Sequence, residues 1–346
     1  MNVDFSRWAV VAHKDDTGFG RMAADARRVL GLGRHIVIPS ERLTDHPLDP
    51  RDETRLDPKD PPARVEEVLA GLQGILFFER PAWHPQLLAT ARRLGVKTVC
   101  VPMWEWFHGR AAEWRDCDLF ACPGEFSAQN IRAYGWKNVA VVPWAFDLTR
   151  FPARSVRGPA RRFVHNAGLV DRDDRKGTRD TVAAFTRTRL PEARLVVRLQ
   201  TAAELPPADA RVTVQVGNLD DPAALYAEAD CAIQPSKMEG IGFMVLEAVA
   251  SGLPVITLDY PPMSEFVAQP ELRVAKRWFK RRAFANHWVP HAHLRLPRQG
   301  DLVRIIEWCA TNDLAPVARA NRDWAERTFA RERLVAHWEQ TLARLD

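Results

Sequence analysis

The chain has 346 residues, of which 46% are hydrophobic and 27% are charged, and its formal net charge is +5. This length predicts two domains of ordinary size, each with enough apolar residues for its own core. No apolar run reaches the length of a membrane helix, and Trp8–Ala12 is too short for the apolar part of a signal peptide. The five cysteines are scattered, without the paired spacing of a zinc site. These features favour a cytoplasmic protein without structural metal, with a peripheral position on a membrane as the alternative.

The N-terminal half alternates strand and helix patterns, which predicts a parallel sheet with helical crossovers. The predicted strands cover residues 8–12, 35–38, 75–79, 98–101, 118–122 and 139–143, and the predicted helices cover 21–30, 64–71, 85–94 and 127–134. The proline- and charge-rich segment 46–63 is expected to be an exposed loop. Gly18 and Gly20 lie in the loop after the first strand, where a doubly wound fold places its ligands.

The segment PMWEWFH, residues 102–108, follows a predicted parallel strand directly. Its candidate ligand-binding side chains are Trp104, Glu105, Trp106 and His108. Aromatic rings at the carboxyl end of a strand could stack on a sugar or a base. For one of the two tryptophans, packing against neighbouring helices is the favoured interpretation.

The second half repeats the alternation after an Arg- and Pro-rich stretch, residues 148–160, which we take as the domain boundary. Strands are predicted at 162–166, 195–199, 212–216, 230–234 and 255–258, and helices at 177–185 and 244–250. We expect domains at 1–150 and 151–315, followed by C-terminal helices at 316–346. In the second domain, Glu239 and Glu247 bracket a glycine loop before a helix, so a ligand at that helix N-terminus would meet both carboxylates and free backbone N–H groups.

The run from Pro235 to Pro254 resembles the E-x7-E motif of retaining glycosyltransferases with the GT-B fold, in particular family 4. It has Pro-Ser before Glu239, Gly-Ile-Gly between the glutamates, and EAVASGLP from Glu247 onward. The resemblance implies that Glu239 contacts the hydroxyls of the donor sugar and that Glu247 holds the ribose. The donor-binding set predicted around them is Ile241, Gly242 and Phe243, joined by Gly18 and Gly20 from the first domain.

Lys176 and Gly177 resemble the K-G element with which the same family holds the donor diphosphate. Lys176 is therefore the predicted catalytic cation. Arg172 is its predicted helper, because the usual arginine position after Gly168 holds Leu169, and Arg175 competes for that role. Out of context this mixed-charge run would be a solvated surface loop.

The resemblance implies an α/β GT-B fold, in which two Rossmann-like domains face one another across a cleft and the last helix crosses back to the first domain. It also implies that a hexose moves from a UDP- or GDP-sugar to an acceptor hydroxyl with retention. UDP is the favoured nucleotide, and no cofactor or metal is expected beyond the donor. We expect the acceptor to be a carbohydrate, a small molecule or a lipid-linked sugar.

Two alternatives stay open at this point. The segment from Arg273 to Arg298 interleaves cations with aromatic residues, a pattern that nucleic-acid surfaces use. With the loop 104–108 it could serve a DNA glycosyltransferase that acts on a hydroxymethylated base. The favoured interpretation of this segment is a domain edge with its aromatic side chains in the core. The second alternative is a GT-B-like binding protein without turnover.

Overall fold

The computed structural model describes residues 3–15, 18–39, 46–79, 83–109, 112–219, 221–282 and 292–345. The chain forms two compact units, the first comprising residues 1–147 and 328–346 and the second residues 148–327. Each unit carries a parallel sheet with helical crossovers, which confirms the predicted fold class of two α/β domains.

The described part of the first unit contains a sheet of seven strands, in the order β3-β2-β1-β4-β5-β6-β7. All the neighbouring strands are parallel. The central strands are apolar throughout and buried at every position, because a sheet with helical crossovers on both faces has no solvent face. The strands are β1 (Trp8–Ala12), β2 (Arg34–Val37), β3 (Glu53–Arg55), β4 (Gly74–Phe78), β5 (Lys97–Val101), β6 (Leu119–Cys122) and β7 (Val139–Val141).

The helices of this unit start close to where the sequence predicts, with one difference at the first. They are α1 (Gly18–Leu30), α2 (Pro62–Leu69), α3 (Leu87–Arg93) and α4 (Glu125–Arg132). Gly18 and Gly20 therefore lie in the first turn of α1 and not in a ligand-facing loop, which corrects the prediction for their local structure. Gly20 has a packing reason to be glycine, because an added Cβ would lie 1.9 Å from the carbonyl oxygen of Asp15.

Strand β3 was not expected, since the segment 46–63 was predicted to be a loop. Glu53 accounts for it. Its buried carboxylate accepts hydrogen bonds from Lys14 Nζ at 2.5 Å and from Arg27 Nη1 at 2.8 Å. These ion pairs attach a three-residue edge strand to the sheet, and local sequence patterning does not show them.

The described part of the second unit contains a parallel sheet of six strands, in the order β10-β9-β8-β11-β12-β13. The strands are β8 (Arg162–Gly168), β9 (Arg194–Leu199), β10 (Val212–Val216), β11 (Cys231–Gln234), β12 (Val255–Leu258) and β13 (Arg273–Val274). The helices are α5 (Thr178–Thr186), α6 (Phe243–Ala250), α7 (Gln299–Cys309) and α8 (Ala315–Phe329). The strand order reverses between β8 and β11, so ligands are expected beyond the carboxyl ends of these two strands.

The segment from Arg273 to Arg298 does not form the buried edge that was favoured from the sequence. After β13, it forms an antiparallel pair, β14 (Lys276–Arg282) and β15 (His293–Pro297). Trp278 is 88% exposed and Phe279 is 39% exposed, so these two aromatic side chains are not core residues. The predicted aromatic residues Phe284 and Trp288 lie outside the described residues, as do His287 and His291.

The last helix, α9 (Arg331–Leu342), belongs to the first unit. Trp338 is buried and donates from Nε1 to the carbonyl oxygen of Pro143 at 3.1 Å. Helix α8, which the sequence grouped with the C-terminal helices, hydrogen-bonds instead within the second unit. Asn321 Nδ2 donates to Leu253 at 2.7 Å, and Arg322 Nη1 donates to Ala250 at 2.8 Å. In the ranges described above, no helix is both long enough and apolar enough to cross a membrane.

Candidate functional site

Two loops meet at the carboxyl edge of the second sheet. One connects β8 to α5, and the other connects β11 to α6. Because β8 and β11 are parallel neighbours, both loops leave the sheet at the same edge. There Lys176 Nζ donates to Glu239 Oε1 at 2.7 Å, although the two residues are 63 positions apart in sequence. The structure thus brings together the predicted catalytic cation and the predicted sugar-binding carboxylate.

Backbone contacts fix the position of Lys176. The next residue, Gly177, has a φ of 74°, and an added Cβ would lie 2.8 Å from the carbonyl oxygen of Pro235. Only glycine satisfies both the left-handed conformation and this close approach. The N–H of Lys237 donates to the carbonyl oxygen of Arg175 at 2.7 Å. The two loops are therefore attached to each other on both sides of Lys176.

Lys237 is a buried residue of this site that the sequence analysis did not single out. Its ammonium lies 2.9 Å from Asp174 Oδ2 and 2.8 Å from Asp180 Oδ2. Asp174 also accepts from the backbone N–H of Thr178 at 2.8 Å, and so holds the start of α5. The pattern DRDDRKGTRD gave no sign of this arrangement, because exposed and buried charges look alike in sequence.

His165 anchors the same helix from β8. Its Nδ1 donates to the carbonyl oxygen of Ile233 at 2.6 Å, and its Nε2 lies 3.0 Å from Thr178 Oγ1. Burial lowers the pKa of His165 to about 4, so the imidazole is neutral at physiological pH. In the neutral ring, Nε2 can accept a hydrogen bond from the Thr178 hydroxyl while Nδ1–H donates to the carbonyl oxygen of Ile233.

The carboxylate of Glu239 is buried but remains ionised. Burial by itself would raise its pKa, yet the charges of Lys176 and Arg175 and hydrogen bonds from Lys176 and Ser236 leave the pKa of Glu239 below its usual value. Arg175, the competitor of Arg172 in the sequence analysis, is thus the second cation that acts on Glu239. Arg172 is exposed in the same loop.

The loop after Glu239 ends at the N-terminus of α6. Ile241 is buried, and Gly242 has a φ of 93° and is the N-cap residue of the helix. Phe243, the first helical residue, is half-buried. The first N–H groups of a helix have no partner within the helix and carry its positive dipole end, so this terminus suits an anionic or hydroxyl-bearing ligand.

Glu247 is the charged residue of α6, whose sequence FMVLEAVA is otherwise apolar and largely buried. Its Oε2 accepts a hydrogen bond from the hydroxyl of Tyr226 at 2.8 Å. Tyr226 lies in the segment between β10 and β11 and is almost fully buried. This bond fixes the orientation of the Glu247 carboxylate, which as an ionised group only accepts hydrogen bonds. Tyr226 was also missed from the sequence, because a lone tyrosine before a strand usually indicates only packing.

The four acceptor candidates lie in a turn after β5 of the first unit. Trp104 is 1% exposed and packs edge-on against Phe126 with 4.9 Å between ring centroids. Glu105 is buried as well, whereas Trp106 is half-buried and His108 is exposed. Trp104 is therefore the tryptophan with the packing role that the sequence favoured for one of the two. Trp106 and His108 remain accessible.

The described ranges contain no candidate metal centre. No group of three or more His, Cys, Asp or Glu side chains there is arranged to hold an ion. All five cysteines lie in the described ranges; they are buried, and none of them forms a disulfide. Burial raises the pKa of Cys117 well above its usual value and that of Cys122 to about 12, well away from the range of a reactive thiolate.

The part of the chain that matches a known sequence family lies in the unit that carries the site. Residues 162–287 match the sequence model of the family described as Glycosyl transferases group 1. This segment includes Lys176, Glu239 and Glu247. No curated protein matches the chain in sequence.

Solved structures match the chain over nearly its full length. Anabaena Alr3699/HepE in complex with UDP and glucose has a TM-score of 0.70 at 13% identity, with 97% of this chain and 99% of that chain covered. A glycosyltransferase from Rickettsia africae has a TM-score of 0.66 at 11% identity, with 98% of each chain covered. Sucrose-phosphate synthase from Thermosynechococcus elongatus has a TM-score of 0.64 at 15% identity, again with 98% of each chain covered. At these identities the likeness establishes the two-domain α/β fold of GT-B proteins.

Proposed function

We propose that the protein is a retaining glycosyltransferase, similar to family 4, that moves a hexose from a UDP-sugar to an acceptor hydroxyl. The observation that carries this proposal is the 2.7 Å contact between Lys176 and Glu239 at the carboxyl edge of the second sheet. Both residues lie in the segment that matches group 1 glycosyltransferases. Their convergence, next to the N-terminus of α6, provides a carboxylate, a cation and free N–H groups in one place.

Glu239 would hold the hexose, and Glu247 the ribose of the donor. An ionised carboxylate only accepts hydrogen bonds, and its two oxygens suit pairs of hydroxyl groups on adjacent carbons. The lowered pKa of Glu239 keeps it in this form. The hydrogen bond from Tyr226 orients the Glu247 carboxylate for this role.

Lys176 would stabilise the departing diphosphate. Breaking the bond between the anomeric carbon and the phosphate oxygen moves negative charge onto the nucleotide, and a fixed cation lowers the free energy of that transition state. An ammonium has three N–H donors, and Lys176 gives one of them to Glu239, which leaves two for phosphate oxygens. Arg172 or Arg175 of the same loop would add positive charge.

The choice of UDP is supported by Alr3699/HepE, which has also been solved with UDP-glucose at a TM-score of 0.68 and 14% identity. We propose that the reaction needs no metal, because Lys176 and its loop neighbours can supply the positive charge. Front-face attack, in which the leaving phosphate takes the acceptor proton, would give retention without a protein nucleophile.

For the acceptor we propose a carbohydrate, a small metabolite or a lipid-linked sugar that meets Trp106 and His108. Trp104 and Glu105 are buried. The loop 104–108 therefore exposes less aromatic surface than the DNA alternative would use. We therefore do not propose a modified base as the substrate.

The first experiment is a panel of nucleotide-sugars, scored by thermal shift and by slow donor hydrolysis. One UDP-sugar should stabilise the wild type and fail to stabilise Glu247→Ala. If no donor stabilises the protein, the alternative of a binding protein without turnover replaces this proposal.

The second experiment tests the catalytic assignment with the identified donor. Lys176→Ala and Glu239→Ala should each lower the turnover of transfer or hydrolysis by roughly 10²-fold or more, since each removes charge aimed at the reacting centre. Lys137→Ala, at an exposed position of the first unit, is the matched control and should keep full activity. Unchanged turnover in both site variants would refute the assignment.

A further inference from the structure

The antiparallel pair β14–β15 presents an unusual surface on the second unit. Strand β14 has the sequence KRWFKRR, in which five of seven residues are cations. Trp278 is 88% exposed, and its ring lies edge-on to Phe279 with 5.6 Å between centroids. Leaving a tryptophan almost wholly in water is unfavourable, so an exposed aromatic pair of this kind suggests a contact surface.

Arg277 and Arg281 of β14 contact other parts of their own chain. Arg277 Nε donates to the carbonyl oxygen of Pro297 at 3.3 Å, and its guanidinium lies 5.8 Å from the Phe279 ring centroid. Arg281 donates from Nη2 to the carbonyl oxygen of Asp173 at 3.0 Å. The Arg281 contact joins the strand to the loop that carries Lys176, and the Arg277 contact joins it to β15.

Besides Arg281, the exposed side chains of the part of β14 that the structure describes are two lysines and the aromatic pair. Lys276 and Lys280 are exposed, one on each side of Trp278 and Phe279 in sequence. Lys276 Nζ donates one hydrogen bond, to the carbonyl oxygen of Asp259 at 2.9 Å, which leaves its other N–H groups for a partner. We call Lys276, Trp278, Phe279 and Lys280 the Trp278 patch.

We propose that the Trp278 patch binds the surface of a bilayer that contains anionic phospholipid. An indole ring prefers the boundary between acyl chains and headgroups, and lysines beside it are attracted to anionic headgroups while their stems cover apolar surface. The charge of the patch is complementary to such a surface.

A bilayer fits this patch better than a nucleic acid does. Arginine is the preferred residue for bidentate contacts with phosphates and for stacking on bases. Here Arg277 and Arg281 donate to other parts of the protein, and Arg281 also pairs with Asp173 at 3.3 Å, whereas Lys276 and Lys280 flank the exposed aromatic pair directly. The proposal does not depend on the glycosyltransferase activity, because no residue of the patch is assigned to the donor site.

The test is co-sedimentation of the full-length protein with vesicles of phosphatidylcholine, with and without phosphatidylglycerol. Wild type should bind only the vesicles with phosphatidylglycerol, and binding should weaken as salt is raised, because salt screens the lysines. Trp278→Ala should lower the partition coefficient by about tenfold. Lys276→Gln with Lys280→Gln should lower it by about fivefold per lysine.

The matched control is Lys59→Gln with Lys137→Gln, which makes the same change in net charge at two exposed positions of the first unit. This control should bind like wild type. Equal binding by the patch variants and wild type, or no binding of wild type to anionic vesicles, would overturn the proposal. Binding to duplex DNA that the patch variants lose, without vesicle binding, would assign the surface to nucleic acid instead. Thermal shift with the donor separates this result from a failure of the proposed function.

Discussion

At the scale of single residues, Lys237 joins the two loops that form the candidate site. Its ammonium is buried between Asp174 and Asp180, and it holds the loop before α5 against the loop after β11. The buried charges of Lys237 and Asp174 are stable only together, because each one alone would lose its hydration without a partner, and the half-buried Asp180 adds a second carboxylate. Lys176, which is proposed to act on the donor, therefore takes its position from a neighbouring charge cluster that has no proposed contact with the donor.

We predict that Lys237→Met lowers the free energy of unfolding by about 3–5 kcal/mol, because it leaves the buried carboxylate of Asp174 and the half-buried one of Asp180 without their cation. Adding Asp174→Asn should restore part of the loss. Chemical denaturation of the two single variants and the double variant measures this coupling.

The control is Arg304→Met, which breaks an ion pair of 2.6 Å with Asp301 in which the arginine side chain is 62% exposed. An exposed pair of this kind contributes at most about 1 kcal/mol. Similar losses from Lys237→Met and Arg304→Met would contradict the role of burial.

The buried histidines give a second prediction, for the pH dependence of stability. The pKa of His165 is lowered to about 4, and so is that of His35, in both cases mainly by burial. In the unfolded chain each takes up a proton near pH 6.5, so the unfolded state binds more protons between pH 6.5 and 4. Stability should be fully present above pH 6.5 and fall as pH drops toward 4, by on the order of 3 kcal/mol per histidine.

His165→Asn removes one of these groups and keeps an N–H near Nδ1. Urea unfolding at several pH values should show a smaller loss of stability between pH 6.5 and 4 than wild type shows. His337→Asn, at an exposed position of α9, should leave the slope unchanged. An identical slope in His165→Asn would show that His165 does not contribute to it.

At the scale of elements, the start of α5 shows how a helix can place a catalytic side chain. The chain turns at Gly177 in a left-handed conformation, passes against Pro235 of the neighbouring loop, and enters the helix with Asp174 bonded to its first N–H groups. His165 contacts the first helical residue from the strand. The orientation of Lys176 is thus set by the helix start and by the strand beside it.

We predict that Gly177→Ala lowers the free energy of unfolding by more than the left-handed conformation of this residue alone would explain. Gly31 is the matched control, because its φ of 77° is close to the 74° of Gly177 but its added Cβ would meet nothing within 4 Å. Gly31→Ala should cost about 1–2 kcal/mol of stability, the usual penalty of that conformation. Gly177→Ala should cost more and abolish stabilisation by the donor. Equal effects on stability and donor binding would contradict the role of Pro235.

At the scale of the whole molecule, the chain closes its first unit with its last helix. Trp338 of α9 is buried and donates to Pro143, and Arg331 Nε donates to the carbonyl oxygen of Val29 at 3.0 Å. The first unit is therefore built from both ends of the sequence, with the second unit inserted between them. The folding of the first unit depends on residues more than 300 positions from its first strand.

We predict that Trp338→Ala destabilises the first unit by about 3–5 kcal/mol, as expected for a large buried side chain. Native-state hydrogen exchange should show faster exchange in β1–β7 than in wild type, with β8–β13 much less affected. The control is Trp324→Ala, a half-buried residue of α8 that packs near Phe266 in the second unit. Its effect should be smaller and should fall on β8–β13. Equal acceleration in both units upon Trp338→Ala would contradict this assignment.

The sequence by itself determined the succession of strands and helices and the residues most suited to a donor site. Apolar runs such as WAVVA and GILFF identify buried parallel strands, because strands covered on both faces need no polar alternation. Glu239, Glu247 and Lys176 could be singled out because the runs around them resemble motifs of a known family, and such motifs are local in sequence. The predicted α/β fold class followed from these patterns.

Only the tertiary structure decided which distant residues meet and which side chains are buried. The contacts of Lys176 with Glu239, of Tyr226 with Glu247 and of Lys237 with two aspartates each join separate strands and loops. The same holds for the ion pairs of Glu53 that produce β3, and for the burial of Trp104 and the exposure of Trp278. Local patterns record the preferences of neighbouring residues. The free energy of a buried charge or ring depends on partners that the folded chain brings from elsewhere, and no local pattern contains them.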